Sequence, residues 1–153
     1  GSRAQDLANQ YEKRLKNIAA QAEGKPRLKV YFEEWDDPMI TGIGWVSEII
    51  AIAGGRDVFS DLAGNDKARD RFVTSERVIS AAPEVILASW CGKKVRPERI
   101  TARPGWASIP AVQSGRIREI KSPLILQPGP AALTDGLDAI VAALAMGDRS
   151  PQI

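Results

Sequence analysis

Histidine is missing from all 153 residues, and cysteine occurs once, at Cys91. The first absence excludes Ser-His-Asp and Cys-His catalysis, histidine-based zinc sites and a histidine ligand to haem from within this chain. The second excludes an internal disulfide, and fits a reducing compartment or an exported domain with a sufficient core. Charge of one sign is also scarce. The 21 basic residues face 19 acidic ones, a formal net charge of +2, and Lys16, Lys93, Lys94 and Arg96 read as scattered rather than massed. A nucleic acid or an anionic membrane surface would find nothing to attract it at long range. No apolar run reaches about 18 residues, the length at which a membrane-spanning helix is suspected. Gly1-Ser2-Arg3 has no basic start leading into an apolar stretch, so no leader is read there, and residues 1–3 are expected to be a tag remnant or linker.

What is present alternates between two periodicities. Residues 4–23 place Leu7, Tyr11, Leu15, Ile18 and Ala22 at helical spacing, and Gly24 and Pro26 stop the helix. Leu28–Phe32 alternates as a strand and runs into an expected acidic-aromatic loop, Glu33–Pro38. A helix over 42–53 ends at Gly54-Gly55. Residues 57–59 form a short extended piece, and residues 61–71 read as loop. A helix capped by Thr74 or Ser75 precedes Pro83. Val85–Ala88 is uniformly apolar, as in a parallel strand covered on both faces. Pro97 starts another helix, residues 117–120 form the next strand, and a proline-rich loop at 123–130 leads to a last helix with Leu133, Leu137, Ile140, Val141 and Leu144 on one stripe. Strands alternating with helices predict a three-layer α/β/α sandwich around a small, mostly parallel sheet.

Ligands of such sheets bind beyond the carboxyl ends of the strands, which here means the loops 33–41, 89–96 and 121–130. Trp35 and Trp90 there either stack on a ligand or cap the sheet edge as core. Trp106 is expected in the core, and Trp45 fits core or surface equally. Glu33, Glu34, Asp36 and Asp37 are turn and rim residues or, alternatively, oxygen ligands of a divalent cation, which would suit a small cation-dependent hydrolase. Cys91 has no histidine to activate it and reads as passive. Neither Gly42-Ile43-Gly44 nor Gly92-Lys93-Lys94 has phosphate-loop spacing. Glu76, in a first helical turn, is favoured there by the macrodipole.

Three segments, GWVSEIIAIAGGRDVFSD, VTSERVISAAPEVILAS and RPGWASIPAVQSGRIREI, together resemble the helical-backbone class of periplasmic substrate-binding proteins. These are the cobalamin-, siderophore- and haem-binding components of ABC importers. The resemblance runs from about residue 4 to 146 and implies one lobe of a two-lobe binding protein that is not an enzyme. Residues 4–24 would be the C-terminal part of the inter-lobe helix, 25–147 the C-terminal lobe and 148–153 a tail, with the N-terminal lobe missing. It implies a cleft lined by Glu34, Trp35, Asp36, Asp37, Met39, Trp90 and Cys91. The ligand would be cobalamin, or else an iron-siderophore or haem; no cofactor, metal site or nucleic acid is implied. Cobalamin-binding members carry a tryptophan where Asp70-Arg71-Phe72 stands here, so Phe72 replaces it only in part. Glu76 corresponds to the glutamate that docks into arginine pockets of the permease. An exported, periplasmic or membrane-associated location follows, and the open cleft and helix predict self-association of this piece.

Overall fold

The computed structural model describes residues 2–121 and 135–145. Helix α1 (Ser2–Ala22) leads into β1 (Leu28–Asp36), which the others surround. Strand β2 (Met39–Thr41) returns antiparallel against the last residues of β1, with Asp36 opposite Met39 and Glu33 opposite Thr41. Helix α2 (Gly44–Ile52) crosses to β3 (Gly55–Asp57), which pairs in parallel with the first residues of β1. Two short turns of helix follow, α3 (Ser60–Ala63) and a 3₁₀ turn at Ala68–Arg71. Helix α4 (Ser75–Ala81) leads to β4 (Val85–Ala88), parallel to β1 on its other side. Helices α5 (Pro97–Thr101) and α6 (Pro110–Ser114), separated by a 3₁₀ turn at Trp106–Ser108, precede β5 (Ile117–Glu119), which lies parallel beyond β4. Helix α7 (Leu137–Ala145) is the last element described. The expected proline-rich loop at 123–130 and Leu133 lie outside the described residues.

Side chains of the two central strands alternate between two cores, as a pleated strand requires. Val30, Phe32, Val85 and Leu87 face α2 and α7, joined by Ile49, Ile50, Leu137 and Ile140. Tyr31, Ile86 and Ala88 face the opposite layer, joined by Val78, Ile100, Trp106 and Ile109. Each of these fully buried large side chains contributes roughly 1.5–3 kcal/mol of burial. The α/β/α sandwich with a mostly parallel sheet is thus realised, β2 being its one antiparallel strand among the described residues.

Two sequence expectations are corrected. Residues 33–36 are not loop: the strand continues through them because β2 supplies partners, with a bulge between Glu33 and Trp35. Only Asp37-Pro38 forms the bend. Residues 61–71 are not all loop either, since Ala63 and Arg71 are buried within short helical turns. Helix α1 contains no buried residue, and Leu7 is 51 % exposed. It rests on the α2/α7 core through Leu15 and Ile18, and Arg14 pairs with Asp138. Its C-terminal end approaches the α2 terminus at Gly54, whose φ of 97° and whose closeness to the Ala22 Cβ both favour glycine.

Candidate functional site

The carboxyl ends of β1 and β4, with the β2 hairpin beside them, bring two distant segments together. The bulge and the strand pleat send successive residues of the run 33–37 to different partners. Glu33 points into the molecule and is fully buried. Its Oε1 accepts from Tyr31 Oη at 2.8 Å and from Arg103 Nη1 at 2.7 Å. Its Oε2 accepts from Trp90 Nε1 at 2.9 Å and from Arg103 Nη2 at 3.0 Å. This bidentate, charge-assisted pair offsets the cost of burying the carboxylate. The Arg103 guanidinium also lies 4.6 Å over the Trp106 ring, whose Nε1 donates to Ser75 Oγ at 3.0 Å. Burial first, and then the Glu33 charge, push the Tyr31 phenol well above its ordinary pKa, so it stays a hydrogen-bond donor.

Glu34 turns the other way and pairs with Arg71, whose Nη1 also donates to the Thr41 carbonyl at 2.7 Å. Trp35 is half-buried and donates from Nε1 to the Asp37 carbonyl at 3.1 Å. Asp36 accepts from Lys93 Nζ at 2.8 and 2.9 Å on its two oxygens. Burial alone would raise the Asp36 carboxyl, but the hydrogen bonds from Lys93 and the backbone, with the Lys93 charge, outweigh it and leave the pKa below its ordinary value. The same ammonium lies 4.6 Å over the Trp35 ring and 5.0 Å over that of Trp90. Asp37 is exposed at the bend. Met39 is half-buried, with Sδ 3.3 Å from Arg103 Nη1, and its carbonyl accepts from Val73 N at 3.0 Å. Beside β2, Phe72 is 46 % exposed.

The structure therefore gathers Trp35, Asp36, Met39 and Trp90 at one sheet edge, with Glu34 and Asp37 flanking them. Trp90 is buried, with one ring face under Lys93. Cys91 is exposed beside it, and partial burial and then the Glu34 charge raise its thiol pKa, which disfavours the reactive thiolate. Among the described residues, no three His, Cys, Asp or Glu side chains are grouped so as to hold a metal ion. The acidic run is divided instead among Arg103, Arg71 and Lys93. Sequence reasoning missed Arg103 and Arg71, which lie 70 and 37 residues from their partners. No local pattern marks them: Arg71 stands in the charged run Ala68-Arg69-Asp70-Arg71, and Arg103 follows Glu98 and Arg99 just beyond α5.

Glu76 lies elsewhere, exposed in the first turn of α4. Thr74 caps that helix, its Oγ1 accepting from Arg77 N at 3.2 Å, and the Ser75–Trp106 bond ties the same turn to the core. The helix ends at Ala82, in the left-handed region at φ 49°, just before Pro83.

No curated protein matches the chain significantly. Among solved structures, an Fe3+-hydroxamate transport system protein from Saccharomonospora viridis superposes with a TM-score of 0.74 at 19 % identity, over 95 % of this chain and 50 % of its own. The periplasmic haem-binding protein RhuT from Roseiflexus sp. RS-1 gives 0.70 at 27 %, over 93 % and 57 %. The periplasmic vitamin B12 binding protein BtuF of Vibrio cholerae gives 0.67 at 22 %, over 92 % and 52 %. The chain thus spans about half the length of the solved structures it matches, which agrees with one lobe of a larger fold. Residues 1–124 match the family described as periplasmic binding protein, and with the α/β/α lobe and its strand-end edge already in view, the chain belongs to that family.

Proposed function

We propose that this chain is the C-terminal lobe of the exported, periplasmic or membrane-associated substrate-binding component of an ABC importer, and that it captures cobalamin or a related metal chelate without transforming it. The observation that carries the reading is the convergence of Trp35, Asp36, Met39 and Trp90 from two segments onto the strand-end edge, where open parallel sheets bind ligands. Aromatic surface with a few polar anchors suits a bulky, largely apolar guest. The buried polar groups are committed to one another: Glu33 to Arg103, Tyr31 and Trp90, and Glu34 to Arg71. This is an arrangement for shape and stability rather than for proton transfer. Glu76, exposed on a capped turn fixed to Trp106, is suited to offer its charge to arginines of the permease. On this reading an N-terminal lobe supplies the other wall of the cleft. The uncovered outer half of α1, with Leu7 exposed, is the surface through which the isolated chain would self-associate.

Calorimetry of the two-lobe protein against cyanocobalamin, haemin and ferric hydroxamate siderophores tests the reading. One saturable chelate, weakened by Trp35→Ala, is the expected result, and silence across the whole panel would sink it. Glu76→Ala should leave that affinity intact and impair uptake; normal uptake would remove the docking role.

A further inference from the structure

The tryptophans at the strand-end edge do not present bare faces. The Lys93 ammonium covers both, 4.6 Å over Trp35 and 5.0 Å over Trp90, while chelated by the two oxygens of Asp36. A ring face attracts a cation through its quadrupole, so this ammonium fills the position where a flat guest would stack. The Asp36 side chain is 8 % exposed, while Lys93 keeps 39 % of its side chain in solvent.

The backbone beneath Lys93 makes a hydrogen-bonded turn. Its N–H donates to the Trp90 carbonyl at 2.8 Å, in a turn that passes through Gly92 at φ 67°. The four-carbon stem can swing about that turn, and lysine is built for that motion. A guest that reaches the tryptophans must move the ammonium aside. If the guest is neutral, the ammonium gives up Asp36 and both rings for water alone. If the guest carries a carboxylate on its edge, the ammonium exchanges one anion for another as the aromatic faces open. The surrounding charge is mixed: Lys94, Arg96 and Arg99 follow Lys93 along the chain, Asp37 is exposed at the neighbouring bend, Glu34 is paired with Arg71 and Arg103 is spent on Glu33.

We infer that Lys93 is a displaceable cover of the Trp35–Trp90 edge, and that the guest which displaces it carries an anionic group of the carboxylate class on its rim. The inference rests on the proposal that this edge is the ligand face, and within that proposal it selects a chelate with peripheral carboxylates over cobalamin, whose corrin rim carries amides.

The test uses the 153-residue chain and a matched pair of flat probes, indole-3-acetate and indole-3-acetamide, at millimolar concentration, followed by NMR of the Trp35 Nε1–H and the Lys93 side chain. In the free protein the Lys93 Hε resonances should be shifted upfield by the two rings, and Trp35→Ala should relieve part of that shift. The carboxylate should bind about tenfold tighter than the amide, returning Lys93 Hε towards its solvent position. Lys93→Met should abolish the preference, and Lys93→Arg should retain it. Unshifted Hε resonances in the free protein, equal binding of the two probes, a preference that survives in Lys93→Met, or no response to either probe would each overturn the inference. The chelate panel answers separately: a carboxylate preference without any chelate binding in the two-lobe protein would sink the proposed function and leave the Lys93 exchange standing.

Discussion

Two carboxylate–cation pairs sit three residues apart on one strand and behave as opposites. Glu33 and Arg103 are sealed: Glu33 is fully buried, Arg103 keeps 15 % of its side chain exposed, and Tyr31, Trp90 and Trp106 close the surroundings. Asp36 and Lys93 are open on the cation's side, with tryptophan rings on only part of the ammonium. Residue types are nearly the same in both, so the difference is one of position. The strand pleat turns Glu33 towards the α5/α6 layer. Beyond the bulge the strand has reached the rim, where one side is water. A pair of the first kind holds the fold; a pair of the second kind is free to change partners.

The comparison makes graded predictions. Arg103→Ala leaves Glu33 buried with no countercharge, so urea unfolding should show a loss of about 3–5 kcal/mol; a loss below about 1 kcal/mol would mean that water reaches Glu33. Arg103→Lys cannot reproduce the bidentate bond and should cost about 1–3 kcal/mol, for the bonds left unmade. Lys93→Met should cost at most about 1 kcal/mol, because the exposed ammonium is screened. If it matched Arg103→Ala, the two pairs would not differ in kind. Raising salt should weaken only the Lys93 pair, so that the Lys93→Met penalty shrinks in high salt while the Arg103→Ala penalty persists.

The smallest expected effect is in the acid limb. Asp36 has its pKa held below the ordinary aspartate value, so its stabilising contribution is present above that ordinary value and is lost as pH falls through the lower, folded-state one. Lys93→Met should move this loss to higher pH. Asp57 is opposite in sign: burial raises its carboxyl despite the Phe59 N–H bond, so its contribution is present at low pH and is lost as pH rises through the raised value. Following unfolding against pH in Asp36→Asn and Asp57→Asn separates the two, and parallel shifts would refute the assignment.

Much of the fold was legible because burial imposes periodicity. The uniform apolar run Val85–Ala88 marked a central parallel strand, Gly54-Gly55 and Pro83 marked helix ends, and Trp106 was read as core and is fully buried. The stretch 33–38 was not legible. Glu-Glu-Trp-Asp-Asp-Pro has the composition of a loop, and it remains strand only because β2 pairs with it and because Arg71, Lys93 and Arg103 meet its charges. Those cations come from three separate segments, and local spacing carries no trace of them. For the same reason Trp35 and Trp90 could be placed at the edge from the sequence, but the lysine that covers them could not.

The order of amino acids by itself determined the alternation of strand and helix, the absence of histidine and disulfide chemistry, a helix cap within Thr74-Ser75 and the helix start at Pro97, because these depend on near neighbours and on what a single side chain can do. Tertiary structure alone decided which carboxylate is sealed and which stays open, and which cation meets each. A charge's environment is set by the groups packed around it and by its distance from water, and both are fixed only once β1, β2, β4 and α5 have come together.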